Sequence, residues 1–166
     1  MKQMSDKIYT VEEELRQLEF FLENKNIQNN YNYVRMEKGP KPLFYRFIAF
    51  SYQLSSFVLD FYFLVFTDNH LILLTKDENY EFSTDYMTTI NYNNIHHFSF
   101  EQKSGFNSYY LIFFQYDKED YYFYLDDRVT NRILDKFLNY PVKNVSYENL
   151  SYLEEMDFMG LSSKDK

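Results

Sequence analysis

Cysteine is absent from this chain, which excludes a disulfide framework and a thiolate metal site. Glycine and proline occur three times each, and the glycines at positions 39, 105 and 160 are too scattered to form a phosphate-cradling loop. Serines are plentiful, yet none sits in the Gly-x-Ser-x-Gly turn that presents a catalytic hydroxyl. Alanine is reduced to Ala49. These absences point away from an enzyme and leave no cofactor to propose.

Positive charge is also short. Against 25 Asp and Glu stand 17 Lys and Arg, a formal charge of −8. Such a surface repels phosphate backbones and anionic headgroups on average, which disfavours direct nucleic-acid and membrane binding. It suits instead a protein that occupies the basic groove of a nucleic-acid machine. Long apolar runs are missing as well: residues 47–59 form the best membrane-span candidate, but they include Gln53 and serines and lie between Arg46 and Asp60. That is well short of the roughly 20 apolar residues needed to cross a bilayer. The N-terminus turns acidic at Glu12, Glu13 and Glu14, where a secretory signal would need its apolar segment. The expectation is a soluble, cytoplasmic protein.

What the chain does have is length for one domain, 166 residues, and 45% apolar content, enough for a core. Tyr and Phe number 18 each. Rings in that number can serve as a stacking platform or a sticky surface, but together with abundant Asn, Ile and Lys they also fit an AT-rich genome.

Thr10 and Glu13 have capping-box spacing, so a helix should begin there. Val11, Leu15, Leu18 and Leu22 recur at helical steps as one narrow stripe, with Phe21 beside it. The stripe suits a helix packed on its own domain, docked on a partner or paired with a second copy. Residues 24–30 are an Asn-rich linker. From position 31 strands describe the chain better: 31–37, closed by Gly39-Pro40-Lys41-Pro42; 43–57, where Ile48, Phe50, Tyr52 and Leu54 alternate as in a strand although Phe47, Phe50 and Leu54 also fit a helical face; 57–66 and 70–75, a hairpin about Thr67-Asp68-Asn69 whose Asp-Asn pair tolerates positive φ. Short strands follow at 80–84 and 88–92, then 95–102, 109–116 and 121–125, the last two joined by the loop 117–120. A helix over 128–139 is capped by Asp126 or Asp127 and stopped by Pro141, and a short one spans 146–158. The division is therefore an N-terminal amphipathic helix and linker (1–30), a β-rich domain (31–140) and a short C-terminal helix with its tail (141–166). The fold class is mainly β, an antiparallel barrel or sandwich.

Three segments suggest a family. Phe66-Thr67-Asp68-Asn69-His70-Leu71-Ile72-Leu73-Leu74 resembles the strand, Thr-Asp turn and strand of bacterial pleckstrin-homology-like domains. Tyr92-Asn93-Asn94-Ile95-His96-His97-Phe98-Ser99-Phe100 is similar to their polar turn leading through isoleucine into the next strand, and a hairpin ending at 121–125 before a capped helix is similar to their closing order. The resemblance covers about residues 31–140. It implies a bent antiparallel barrel or sandwich of about seven strands, capped by the C-terminal helix, and a non-catalytic recognition module. Asn69 and His70 stand where relatives often carry Lys-Arg. Arg35, Lys38, Lys41 and Arg46 are then what is left of an anionic headgroup pocket.

On the predicted strand His96 and His97 point to opposite faces and do not share a metal. Asp117, Glu119 and Asp120 crowd one hairpin loop but lack the twelve-residue calcium pattern. The expected function is a protein-interaction module whose contact runs through Val11, Leu15, Leu18 and Leu22 or through a sheet edge. The alternative is a small acidic phage or mobile-element inhibitor, anti-CRISPR-like, blocking the basic cleft of a nuclease or polymerase with Glu12, Glu13, Glu14, Asp117, Glu119, Asp120 and the segment 154–157. Anionic lipid binding through the four cations is the third reading.

Overall fold

Thr67 turns the chain between its two most apolar strands. In the computed structural model, which describes residues 11–49, 60–104, 109–126 and 142–165, β2 (Asp60–Phe66) and β3 (His70–Lys76) pair antiparallel with Phe66 opposite Leu71. The Thr67 amide donates to His70 O (2.9 Å), and the Thr67 hydroxyl donates to the same carbonyl and accepts from the His70 amide at 3.0 Å. Asp68 and Asn69, expected to supply positive φ, do not: the threonine side chain closes the turn without it.

The first strand, β1 (Tyr33–Gly39), starts two residues later than the sequence suggests, because Tyr31 sits at φ 57° and breaks the extended run. Gly39 belongs to the strand, opposite Tyr122, so Pro40 and Pro42 do the closing. The stretch expected as a strand from position 43 is instead a helix, α2 (Pro42–Ala49). Proline at the first helical position has the φ a helix needs and no N–H to leave orphaned, and this outweighs the period-two pattern downstream. Residues 50–59 lie outside the described residues.

The two short strands expected over 80–92 are one, β4 (Phe82–Asn91), with its ladder to β3 shifted between Leu74 and Lys76. Tyr92–Asn94 forms a 3-10 turn that leads into β5 (His96–Lys103). The ladder from β5 to β6 (Tyr109–Tyr116) shifts between His96 and Ser99, where His97 has φ 55°. That bulge overturns the simple alternation expected for the two histidines; both are exposed. The loop joining β6 to β7 (Glu119–Asp126) is also tighter than expected. Asp117 and Lys118 alone make the turn, at φ 50° and 65°, with Tyr116 opposite Glu119.

All seven strands form one antiparallel sheet in the order β4-β3-β2-β1-β7-β6-β5. It is not closed: among the described residues no strand pairs β4 with β5, so of the barrel or sandwich expected the closed barrel is not formed. The sheet is nevertheless strongly bent. Four strand spacings separate β2 from β5, roughly 19 Å if flat, yet the rings of Phe66 and Phe98 are 6.2 Å apart. Inside the bend lie Val34, Met36, Leu64, Leu71, Ile112, Phe114 and Phe123.

Helices cover both faces. The third, α3 (Val142–Glu155), begins earlier than the short helix expected there and sends Leu150 and Leu153 into the inner core. Its buried Asn149 donates to Tyr33 O at 2.9 Å. Beyond it Asp157, Phe158, Met159 and Gly160 all have positive φ (54°, 48°, 58° and 91°), a left-handed turn that drives Phe158 among Phe66, Phe98 and Phe100. Lys164 fastens the end by donating to Tyr92 O and Ile95 O at 2.7 and 2.6 Å. The capping helix expected over 128–139 lies outside the described residues. On the outer face α1 (Val11–Asn24) buries Leu18 and Leu22 against Tyr33, Phe63, Val65, Ile72 and Leu74. At the other end α2 places Tyr45 with Tyr109, Leu111 and Tyr124. Among the described residues no helix is long and apolar enough to cross a membrane.

An edge strand and its adjoining cleft

Two cations of the expected anion pocket, Arg35 and Lys38, lie on opposite faces of the sheet. Side chains alternate along β1, so Arg35 lies on the outer face with Tyr33, and Lys38 on the inner face with Val34 and Met36. Arg35 sits 3.6 Å from Glu14 and over the Phe61 ring at 3.9 Å. Lys38 rests 4.7 Å from the Tyr121 ring centre, on the other side of the sheet. Lys41 is exposed. The side chain of Arg46 falls outside those described.

The expected docking stripe is largely spent within the chain. Leu18 and Leu22 have no exposed surface and Leu15 is half-buried. Glu14 is neutralised by Arg35 and by Lys76 at 3.4 Å, while Glu13 is exposed. The side chains of Val11 and Glu12 are outside the described ones. Asp117, Glu119 and Asp120 form an exposed tip at the far end of β6 and β7, where Gln115 donates to Asp120 at 2.9 Å. Glu154 and Glu155 are exposed on α3.

The unclosed sheet leaves two edges, and they differ. The β5 edge is guarded: the His97 amide donates to Asp165 at 2.7 Å, and Glu101 pairs with Lys103 at 2.9 Å along the strand. In the bulged half of β4 the Asp85 amide donates to Ser83 Oγ at 3.2 Å. The regular half, 87–91, carries no charge. Here the Tyr92 amide donates to Asn69 O at 3.1 Å, and main-chain groups alternate sides along an antiparallel strand. Thr88 and Ile90 therefore address β3, and Met87 and Thr89 turn their N–H and C=O groups outward. Among the described residues no strand pairs with them.

A cleft of about 600 Å³ opens beside this edge, on the outer face where Ile72 stands opposite Thr89. Its walls come from the linker after α1, from the β2–β3 turn and from α3. Gln28, Asn30, Asn69, His70 and Tyr152 line it with hydrogen-bonding groups, and Asp68 adds one carboxylate. The linker is held by Asn32, whose buried amide donates to Phe66 O (2.8 Å) and Gln28 O (3.1 Å) and accepts from the Asn30 amide (3.0 Å). His70 Nδ1 lies 2.6 Å from Asn69 Oδ1. Tyr92 buttresses the turn from below by donating its hydroxyl to Thr67 O, and burial, then the nearby Asp68, raises its ionisation well above the ordinary tyrosine range. Tyr33 is pushed up to about 12 by burial and by Glu19, whose carboxylate accepts its hydroxyl proton at 3.2 Å.

A sheet edge is among the contacts the sequence suggests, but neither its place on β4 nor the cleft stood out there. The linker is polar and Asn-rich, which reads only as a connector, and β4 was divided in two because its bulge interrupts the alternation. Comparison with protein-family models, with curated proteins and with solved structures finds no match.

Proposed function

We propose that this chain is a non-catalytic protein-interaction module on a pleckstrin-homology-like scaffold, and that it takes an extended segment of its partner along the free edge of β4. The scaffold reading is supported by the strand order, in which two meanders, β1 to β4 and β5 to β7, join through β1 and β7. The observation that carries the function is the outward main chain of Met87 and Thr89 beside the cleft. Unpaired strand edges template the addition of another strand, and neighbouring pockets give such pairing its sequence preference. The N-terminal stripe is a weaker site, since Leu18 and Leu22 are already buried.

Net charge favours the second reading, an acidic inhibitor seated in the basic cleft of a nucleic-acid enzyme, with contact through Asp117, Glu119 and Asp120. Site-specific photo-cross-linking in the native host separates the two. A cross-linker at Tyr86, exposed on β4, should capture one partner through a contiguous short segment, and a cross-linker at Asp120 should not. Capture of a nuclease or polymerase from Asp120 alone would overturn the edge reading in favour of the inhibitor.

A further inference from the structure

The edge of β4 is chemically lopsided. At one end stand Asp77, Glu78, Glu81 and Asp85 within the β3–β4 turn and the bulge. Asp77 is used internally, its carboxylate accepting from the Asn79 and Glu81 amides at 2.8 and 3.0 Å. Glu78, Glu81 and Asp85 are exposed. The nearby cations do not cancel them: Lys76 is engaged by Glu14 and lies over the Phe82 ring, and Lys25 lies over Phe21. At the other end Thr89 borders the cleft, where Asp68 is the one carboxylate among amide, imidazole and hydroxyl groups.

From this asymmetry, and resting on the edge reading above, we infer that the segment received on β4 is an extended basic peptide. It sets Lys or Arg against Glu78, Glu81 and Asp85 and an amide or hydroxyl side chain over the cleft at Thr89. Asp85 and Thr89 are four positions apart, at most about 13 Å because Asp85 lies in the bulge, so the two features recur in the peptide within about four positions. Main-chain bonds to Met87 and Thr89 hold the strand, charge complementarity selects it and sets its register, and the association weakens with salt. A peptide with acids at the basic position meets like charge and is rejected.

The test uses the full chain and a phage-displayed library of random dodecapeptides. Selected peptides should carry Lys or Arg within about four positions of Asn, Gln, Ser or Thr. They should protect the Met87 and Thr89 amides from hydrogen exchange and lose at least tenfold in affinity to a Glu78→Lys, Glu81→Lys, Asp85→Lys variant. An equal charge reversal at Asp117, Glu119 and Asp120 should cost less than threefold. Peptides that protect β4 without a basic preference would overturn this inference and leave the edge reading standing. If the two amides are already protected in the free chain, if selected peptides protect other residues, or if no peptide is enriched, both fall. A dimer that dissociates on Thr89→Pro would assign the edge to a second copy and overturn the basic-peptide occupant.

Discussion

Tyr45 on α2 lies face to face with Tyr124 on β7, ring centres 3.6 Å apart and planes within 3° of parallel. Tyr109 meets both rings edge-on at 5.5 Å, and Tyr124 donates its hydroxyl to Pro40 O at 2.5 Å. This triad fastens the short helix to the outer face of the sheet. Replacing Tyr45 with Ala removes a side chain that is 1% exposed and leaves a void among stacked rings. The expected loss is about 3 kcal/mol in urea unfolding, with a collapse of the near-ultraviolet tyrosine dichroism.

The β6–β7 turn should be improvable. Lys118 is exposed and held at φ 65°, where a side chain costs about 1 kcal/mol relative to glycine. Lys118→Gly creates the Asp-Gly pair that such two-residue turns prefer and should raise the unfolding free energy by about that amount. An unchanged or lowered midpoint would show that the turn is not the strained element described.

Asn32 should matter more than its place in a polar linker suggests. In Asn32→Ala the buried Phe66 carbonyl loses its side-chain donor, at a cost of about 2 kcal/mol. The linker also loses its tie to Gln28 and Asn30. Amide exchange across 28–32 should quicken while the β6–β7 hairpin stays protected.

Alkaline pH should unfold the protein cooperatively. Burial, with Glu19, lifts Tyr33 to about 12, and burial lifts Tyr92 and Tyr124 further, against an ordinary value near 10. The native state thus retains phenolic protons that the unfolded chain releases. Their contribution is fully present below pH 10 and falls as pH rises through the folded values. Tyrosinate absorbance should rise in two phases, exposed rings first and then a sharp step coincident with loss of secondary structure. One gradual rise centred at 10 would contradict the buried assignments.

Much of the sheet could be read from the residues, because strands covered on both faces are near-continuous apolar runs, and 61–66, 71–74 and 109–114 are such runs bounded by polar turns. The helix at Pro42 was missed. The alternation runs over 48–54, of which only Ile48 falls within the described helix, and the proline signal lay upstream of it. The candidate site was legible only in part. An open edge is a property of strand order, which no local pattern encodes, and the cleft is assembled from segments near Asn30, His70 and Tyr152 that only tertiary folding brings together. The cation set failed on parity: Arg35 and Lys38 are an odd number of positions apart on one strand and so fall on opposite faces.

The joint between β1 and β7 is made by three residue pairs, Glu37 with Tyr124, Lys38 with Phe123 and Gly39 with Tyr122, whereas the β6–β7 hairpin has eight. Within each meander no connection exceeds about twenty residues, but this joint alone links strands some eighty positions apart in sequence, so its formation carries the largest loop-closure entropy of any ladder in the sheet. Assembly is therefore gated by the docking of two prebuilt halves, and a pulling force applied across the sheet would part it first along this seam, as two intact leaves.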